Sequence, residues 1–274
     1  MDSITLLHEY HADENPPLII ERFLRDREGV WRQIKQEYQL NALIRQMLKS
    51  ASIALVGYGA VMGAGASSGL LQSLSSAIKL PILFLLTLAI CLPTLYLFNL
   101  LCGGRLSARQ ALALALAAIT VSSALTLAFA PITLFFLITA QSYPFFQLLN
   151  VAILALTGAV GLRFLVSGMR SMNALALEDQ PPDAVPDQQP GEGADAPAPT
   201  RIRRPASASM TLLYVWLLLY GFVGTQLGWT LRPFFGDPHK PFIIFRAIEG
   251  NFYLGVVEAI LRLFHWEPRI EDGG

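Results

Sequence analysis

The residues able to do chemistry in this chain are few. Gly65-Ala66-Ser67-Ser68-Gly69 spells the GxSxG string of a serine nucleophile. A nucleophile elbow needs a strand before it, a helix after it, and an acid and a histidine as partners. Here the string sits in a run of small and apolar residues, and no Asp or Glu occurs between Glu37 and Glu178. Close helix packing is the better reading of those residues. The histidines are His8, His11, His239 and His265. Only His8 and His11 are spaced for a shared metal, and they lie in a polar terminal arm with Glu9 and Asp13, where a solvated surface is expected. HExxH, CxxC and a phosphate-binding glycine loop are all absent from the sequence. No catalytic residue, cofactor or metal is therefore expected, and the chain does not read as an enzyme.

One cluster of residue types does suggest recognition. Trp229, Arg232, Pro233, Phe234, Phe235, Gly236, Asp237, Pro238, His239, Pro241, Phe242, Phe245 and Arg246 follow each other closely, with Glu249 just beyond. The prolines and the glycine impose an irregular path, and the aromatics would cover it. Arg232 and Arg246 then either hold Asp237 or Glu249 within a structural cap, or contact a phospholipid headgroup or a partner. Guanidinium suits bidentate contact with phosphate and carboxylate.

The surrounding chain must be a membrane protein. Of its 274 residues 53% are hydrophobic, and charged residues are held largely at the ends and in one linker. A membrane bundle is apolar on its outside as well as inside. The net charge of zero argues against a nucleic-acid partner. Cys91 and Cys102, on one helix, would be about 16 Å apart, too far for a disulfide. The polar, acidic start lacks the pattern of a cleavable signal peptide.

The expected fold is an all-α polytopic bundle of about five transmembrane helices with amphipathic helices at both ends. Residues 1–49 form a cytoplasmic arm. Within it, residues 18–49 carry apolar side chains on one face of one or two helices broken near Gly29, either lying at the interface or packed on the protein. Residues 50–170 make a four-span bundle. The first span, 51–72, carries Gly59, Gly63, Gly65 and Gly69, whose four-residue spacing lets another backbone approach. Lys79 and Pro81 mark the start of the second, 80–100, and Pro93 predicts a kink near Ile90. The third begins near Gln110; residues 131–139 either continue it as a kinked helix or form a separate element. The fourth covers 145–168. Residues 171–209 are a Pro-rich acidic linker expected to be disordered. The fifth span, 210–229, carries the pair Gly224 and Gly228. Residues 230–274 form an aromatic-rich cap whose amphipathic segment, 241–264, lies on or re-enters the membrane rather than crossing it.

Arg45, Lys49, Arg105, Arg109, Arg163, Arg170, Arg201, Arg203 and Arg204 all fall on one side in a five-span arrangement. Positive residues mark the cytoplasmic side. The N-terminus is therefore expected inside, in a bacterial cytoplasmic (inner) membrane.

The turn NLLCGGRLSARQALALALAAI, residues 99–119, carries Gly103-Gly104 followed by a polar residue and Gln110. With it, residues 50–170 resemble Yip-type five-helix integral membrane proteins. The resemblance implies a membrane adaptor or organiser without chemistry; the long linker and the extension from Leu231 depart from that pattern. The leading expectation is a non-catalytic organising, anchoring or adaptor protein. Its partners would be membrane lipids and other membrane or cytoplasmic proteins, with homo-oligomers allowed. The first alternative is an oligomeric channel or small transporter for a neutral or anionic solute. Asn99, Thr120, Ser122, Ser123, Gln147, Asn150 and Gln226 would line its path, and Pro93 and Pro131 would break its helices. The second is a lipid-binding membrane protein.

Overall fold

The computed structural model describes residues 19–64, 69–101, 107–140, 142–178, 206–234 and 251–264. Every regular element among them is a helix. They are α1 Ile19–Arg25, α2 Arg27–Lys35, α3 Leu40–Gly63, α4 Gly69–Leu101, α5 Ala108–Ala128, α6 Ala130–Thr139, α7 Tyr143–Glu178, α8 Ala206–Thr230 and α9 Phe252–Phe264. Among the described residues, three stretches are long and apolar enough to cross a membrane: Leu70–Leu97, Ala108–Thr139 and Tyr143–Met172.

Their outward faces fit that solvent. On α4, Leu71, Leu74, Ile78, Ile82, Leu86, Ile90 and Leu97 are exposed. Steps of three and four residues keep them on one side of the helix. From Leu71 to Leu97 the stripe is about 39 Å long, more than the hydrocarbon core of a bilayer. Lipid, not water, is the medium that matches it.

Helices α8, α4, α3, α5 and α7 are neighbours in that order, and α9 packs against α7 and reaches α8. Helix α5 is the interior one. Its alanine-rich sequence buries residues all round, from Ala111 through Thr126, because small side chains let α3 and α7 close on it from two sides. The core divides in two. One part, at the end where α3 and α5 begin, joins Trp31 and Ile34 of α2, Met47 of α3, Leu114 of α5, Leu165 of α7 and Trp216 of α8. The other, toward the far end, joins Leu55, Tyr58 and Met62 of α3, Leu80 of α4, Ile153 of α7 and Phe234 beyond α8.

Several helix limits differ from the sequence-based expectation. The break in the amphipathic arm is at Asp26, not Gly29. Asp26 caps α2 by accepting from the Gly29 amide at 2.9 Å, and a side chain on Gly29 would collide with that carboxylate. The apolar residues from Leu40 to Leu48 belong to the start of α3, so this part of the arm is continuous with the first bundle helix. The arm packs: Val30, Trp31 and Ile34 are buried in the core.

The segment 51–72 is not one helix. Helix α3 ends at Gly63 and α4 begins at Gly69. Small residues that favour close packing are weak helix formers as well, and composition alone does not fix where a helix stops. Lys79 and Pro81 consequently lie inside α4, which runs on through Pro93 as well. Pro131 falls in the first turn of α6, a separate helix; the missing proline N–H is harmless there. Helix α7 continues to Glu178 and α8 starts at Ala206, so both ends of the segment assigned to the linker are helical. Met172, buried in the core, shows why at the α7 end: the apolar pattern outlasts the expected span by about one turn.

Candidate functional site

At the far end of the bundle the chain leaves α8 and returns to α4. Residues 231–234 lie against the first three turns of α4, and Phe234 is buried between Leu80 and its neighbours. The contact is polar as well as apolar. The Gln72 amide donates to the Pro233 carbonyl at 3.1 Å, and the Ser76 hydroxyl donates to the Phe234 carbonyl at 2.5 Å. The Lys79 ammonium reaches the same Pro233 carbonyl at 3.4 Å. Residues 72, 76 and 79 fall on one helical face, so a single strip of α4 supplies all three donors. All are buried; Lys79 is only 5% exposed. Carbonyls without helical partners must be satisfied once out of water, and this strip satisfies them.

Arg232 belongs to this clamp. Its guanidinium lies 3.6 Å from the centroid of the Trp229 ring, a cation–π contact. Gly255 of α9 packs on the same indole so tightly that a Cβ would collide with it. Tyr253 of α9 lies 3.3 Å, hydroxyl to hydroxyl, from Thr225 of α8. The end of α8, the strip on α4 and the start of α9 thus meet around Trp229 and Arg232. Of the four residues proposed from sequence for lipid or partner contact, only Arg232 can be placed; Asp237, Arg246 and Glu249 lie outside the described residues.

The glycines fall in two groups. A Cβ on Gly59 would sit 2.6 Å from the Ser76 carbonyl oxygen, and one on Gly63 would sit 2.6 Å from that of Gln72. Both therefore lie against the backbone of the clamp strip. Gly224 and Gly228 face α4 with room to spare, 3.5 Å from Thr87 and 3.9 Å from Leu83. Gly69 opens α4, and Gly65 lies outside the described residues, as does Ser67 of the GxSxG string. Two tighter glycines were not singled out from sequence. A Cβ on Gly161 would strike the Ser122 hydroxyl and lie 2.7 Å from the Ala118 carbonyl; one on Gly168 would lie 2.8 Å from Trp31. Their spacing of seven residues in a strongly apolar helix is the signal that was there to find.

Several polar side chains inside the bundle are closed on protein groups; the indole N–H of Trp31 is buried without a partner among the described residues. The Tyr58 hydroxyl donates to Asn150 Oδ1 at 2.8 Å and lies 3.2 Å from the Thr133 hydroxyl, while Asn150 Nδ2 donates to the Phe146 carbonyl. Thr126 and Thr157 share a hydrogen bond of 2.8 Å. Thr120 donates to Leu116 O, and Ser123 to Thr120 O. Gln147 and Gln226 are half-buried. Among the described residues, no group of three His, Cys, Asp or Glu side chains is placed to hold a metal ion.

The geometry is that of a helical membrane protein in which the segment that follows α8, residues 231–234, is clamped onto the bundle. Comparison with protein families, curated proteins and solved structures finds no match for this chain.

Proposed function

We propose that this protein is a five-span integral membrane organiser or anchor, with α3, α4, α5, α7 and α8 as the crossings. Its N-terminal helices face the cytoplasm, and a bacterial cytoplasmic membrane is its setting. Membrane and cytoplasmic proteins are its partners, and lipid covers the exposed stripe of α4. The observation that carries the reading is the closure of the Thr120, Ser123 and Asn150 side chains. A transport path needs polar atoms that are open to solute; Thr120, Ser123 and Asn150, the best candidates for lining one, are buried and spend their hydrogen bonds on the protein. The same role is what the Yip-type resemblance of residues 50–170 implies.

The test is reconstitution of the full chain into liposomes, with flux of chloride, phosphate and glycerol followed by dye release and light scattering. Rates equal to protein-free liposomes are expected. Saturable flux removed by Asn150→Leu would replace this reading with the transporter. In parallel, a photo-crosslinker at exposed Arg32 should yield a discrete adduct in cells; adducts with abundant proteins only, in proportion to abundance, would count against a specific partner.

A further inference from the structure

We propose that the groove between the α2–α3 turn and the start of α5 binds the phosphate of an anionic phospholipid headgroup. The groove encloses about 390 Å³ and is lined by Glu37, Gln39, Leu40, Asn41, Ala42, Arg45 and Arg109. Among the described residues, Arg45 and Arg109 have no ion-pair or hydrogen-bond partner. Arg22, Arg25, Arg170 and Arg262 do have partners, in Gln33, Glu21, Tyr214 and Glu258; Arg27, Arg32 and Arg163 are open like Arg45 and Arg109, but they do not line this groove. Two guanidiniums facing one groove without a partner suit a phosphate, which each can grip with paired N–H donors.

The one carboxylate in the groove is already engaged. Glu37 Oε1 accepts from the Ser107 hydroxyl at 2.5 Å. The walls are also held in place. Glu37 and Gln39 both have left-handed backbones, at φ 54 and 48°. That turn is pinned by Gln33 Nε2 donating to Tyr38 O at 3.1 Å and by Gln110 Nε2 donating to Lys35 O at 2.9 Å. A groove fixed before the ligand arrives loses less entropy on binding.

The position selects a lipid over a free phosphate. On α3, Arg45, Leu48, Lys49 and Val56 share one exposed face. Ile53, 71% exposed at the edge of that face, lies about 12 Å further along the helix than Arg45. Arg109 is the second residue of the apolar run Ala108–Thr139. Both guanidiniums thus stand where apolar surface gives way to charge, the level of the headgroups, with an apolar track below Arg45 for an acyl chain. The proposal rests on membrane placement of α3 and α5 but not on the organising role, so flux or crosslinking results leave it untouched.

The experiment is native mass spectrometry of the full chain in detergent, titrated with phosphatidylglycerol or phosphatidylcholine. Wild type should retain phosphatidylglycerol in preference. Arg45→Gln with Arg109→Gln should lower that retention roughly tenfold, as expected for losing two charge-assisted contacts. Glu37→Gln should raise it, because the groove loses its negative charge while an amide oxygen still accepts from Ser107; this variant keeps the test decisive where the double variant folds poorly. Arg262→Gln, on α9, should change nothing. Equal retention in wild type and the double variant overturns the proposal. So does displacement of phosphatidylglycerol by equimolar inorganic phosphate, which would make this a free-anion site, or loss of an acidic protein partner with lipid retention unchanged.

Discussion

Gln110 of α5 donates its side-chain amide to the carbonyl of Lys35 of α2 at 2.9 Å and also reaches Ile34 O at 3.3 Å. Its side-chain oxygen accepts from the Ser107 amide at 2.9 Å. One buried side chain therefore closes the end of α2 and the beginning of α5 together. The N-terminal helices are joined to the bundle by this bond pair as well as by the apolar burial of Trp31.

Gln110→Ala should loosen that joint. It removes the capping box of α5 and leaves two carbonyls of α2 without their side-chain donor, for a loss of about 1–3 kcal/mol. Thermal unfolding in detergent should show a lower Tm, and trypsin should cut within residues 19–36 before it cuts the bundle. An unaltered Tm and cleavage order would mean that Trp31 packing alone holds the arm.

The glycines should separate sharply. Gly59→Ala and Gly63→Ala push a methyl group to 2.6 Å from backbone oxygens of α4, which cannot move aside as a side chain can. A cost of about 1–3 kcal/mol each follows from overpacking. Gly224→Ala, with 3.5 Å of clearance from Thr87, should be tolerated and should melt as wild type does. Equal Tm values for all three variants would contradict the close approach of α3 and α4.

Ser76→Ala removes the shortest bond of the far-end clamp. The Phe234 carbonyl then lacks its hydroxyl donor, at about 1–3 kcal/mol for an unsatisfied buried group. Amide exchange over residues 231–234, followed by mass spectrometry, should accelerate while exchange in α5 stays slow. Faster exchange throughout the bundle would show that the clamp holds the whole fold rather than its own segment.

Topology can be read with single cysteines placed at Asn41 and Thr230 in a background lacking Cys91 and Cys102. Both positions are exposed, one at the start of α3 and one at the end of α8. With the arginine-rich end inside, an impermeant thiol reagent should label Thr230→Cys in intact cells and leave Asn41→Cys unmodified until the cells are opened. The reverse pattern would invert the orientation.

By itself the sequence determined the helical, membrane-embedded class. Apolar runs longer than a bilayer, free of acids for most of the chain, have few other stable solutions, because backbone polar groups in lipid must be paired within a segment. It also set Arg232 close to the aromatic Trp229, on whose ring its guanidinium lies. The tertiary structure alone decided what those groups meet. By sequence Gln72 closes the first expected span and Lys79 marks the start of the second; folded, these two and Ser76 are the donors for carbonyls of residues 233 and 234, which only the return of the chain beyond α8 brings to them. It likewise divided residues 51–72 between two helices, one ending at Gly63 and the next beginning at Gly69. Periodicity reports which side of a helix is apolar, a local property. The pairing of buried polar groups depends on which distant segment comes back to that side, and the physical cost of leaving them unpaired acts only once the chain is folded.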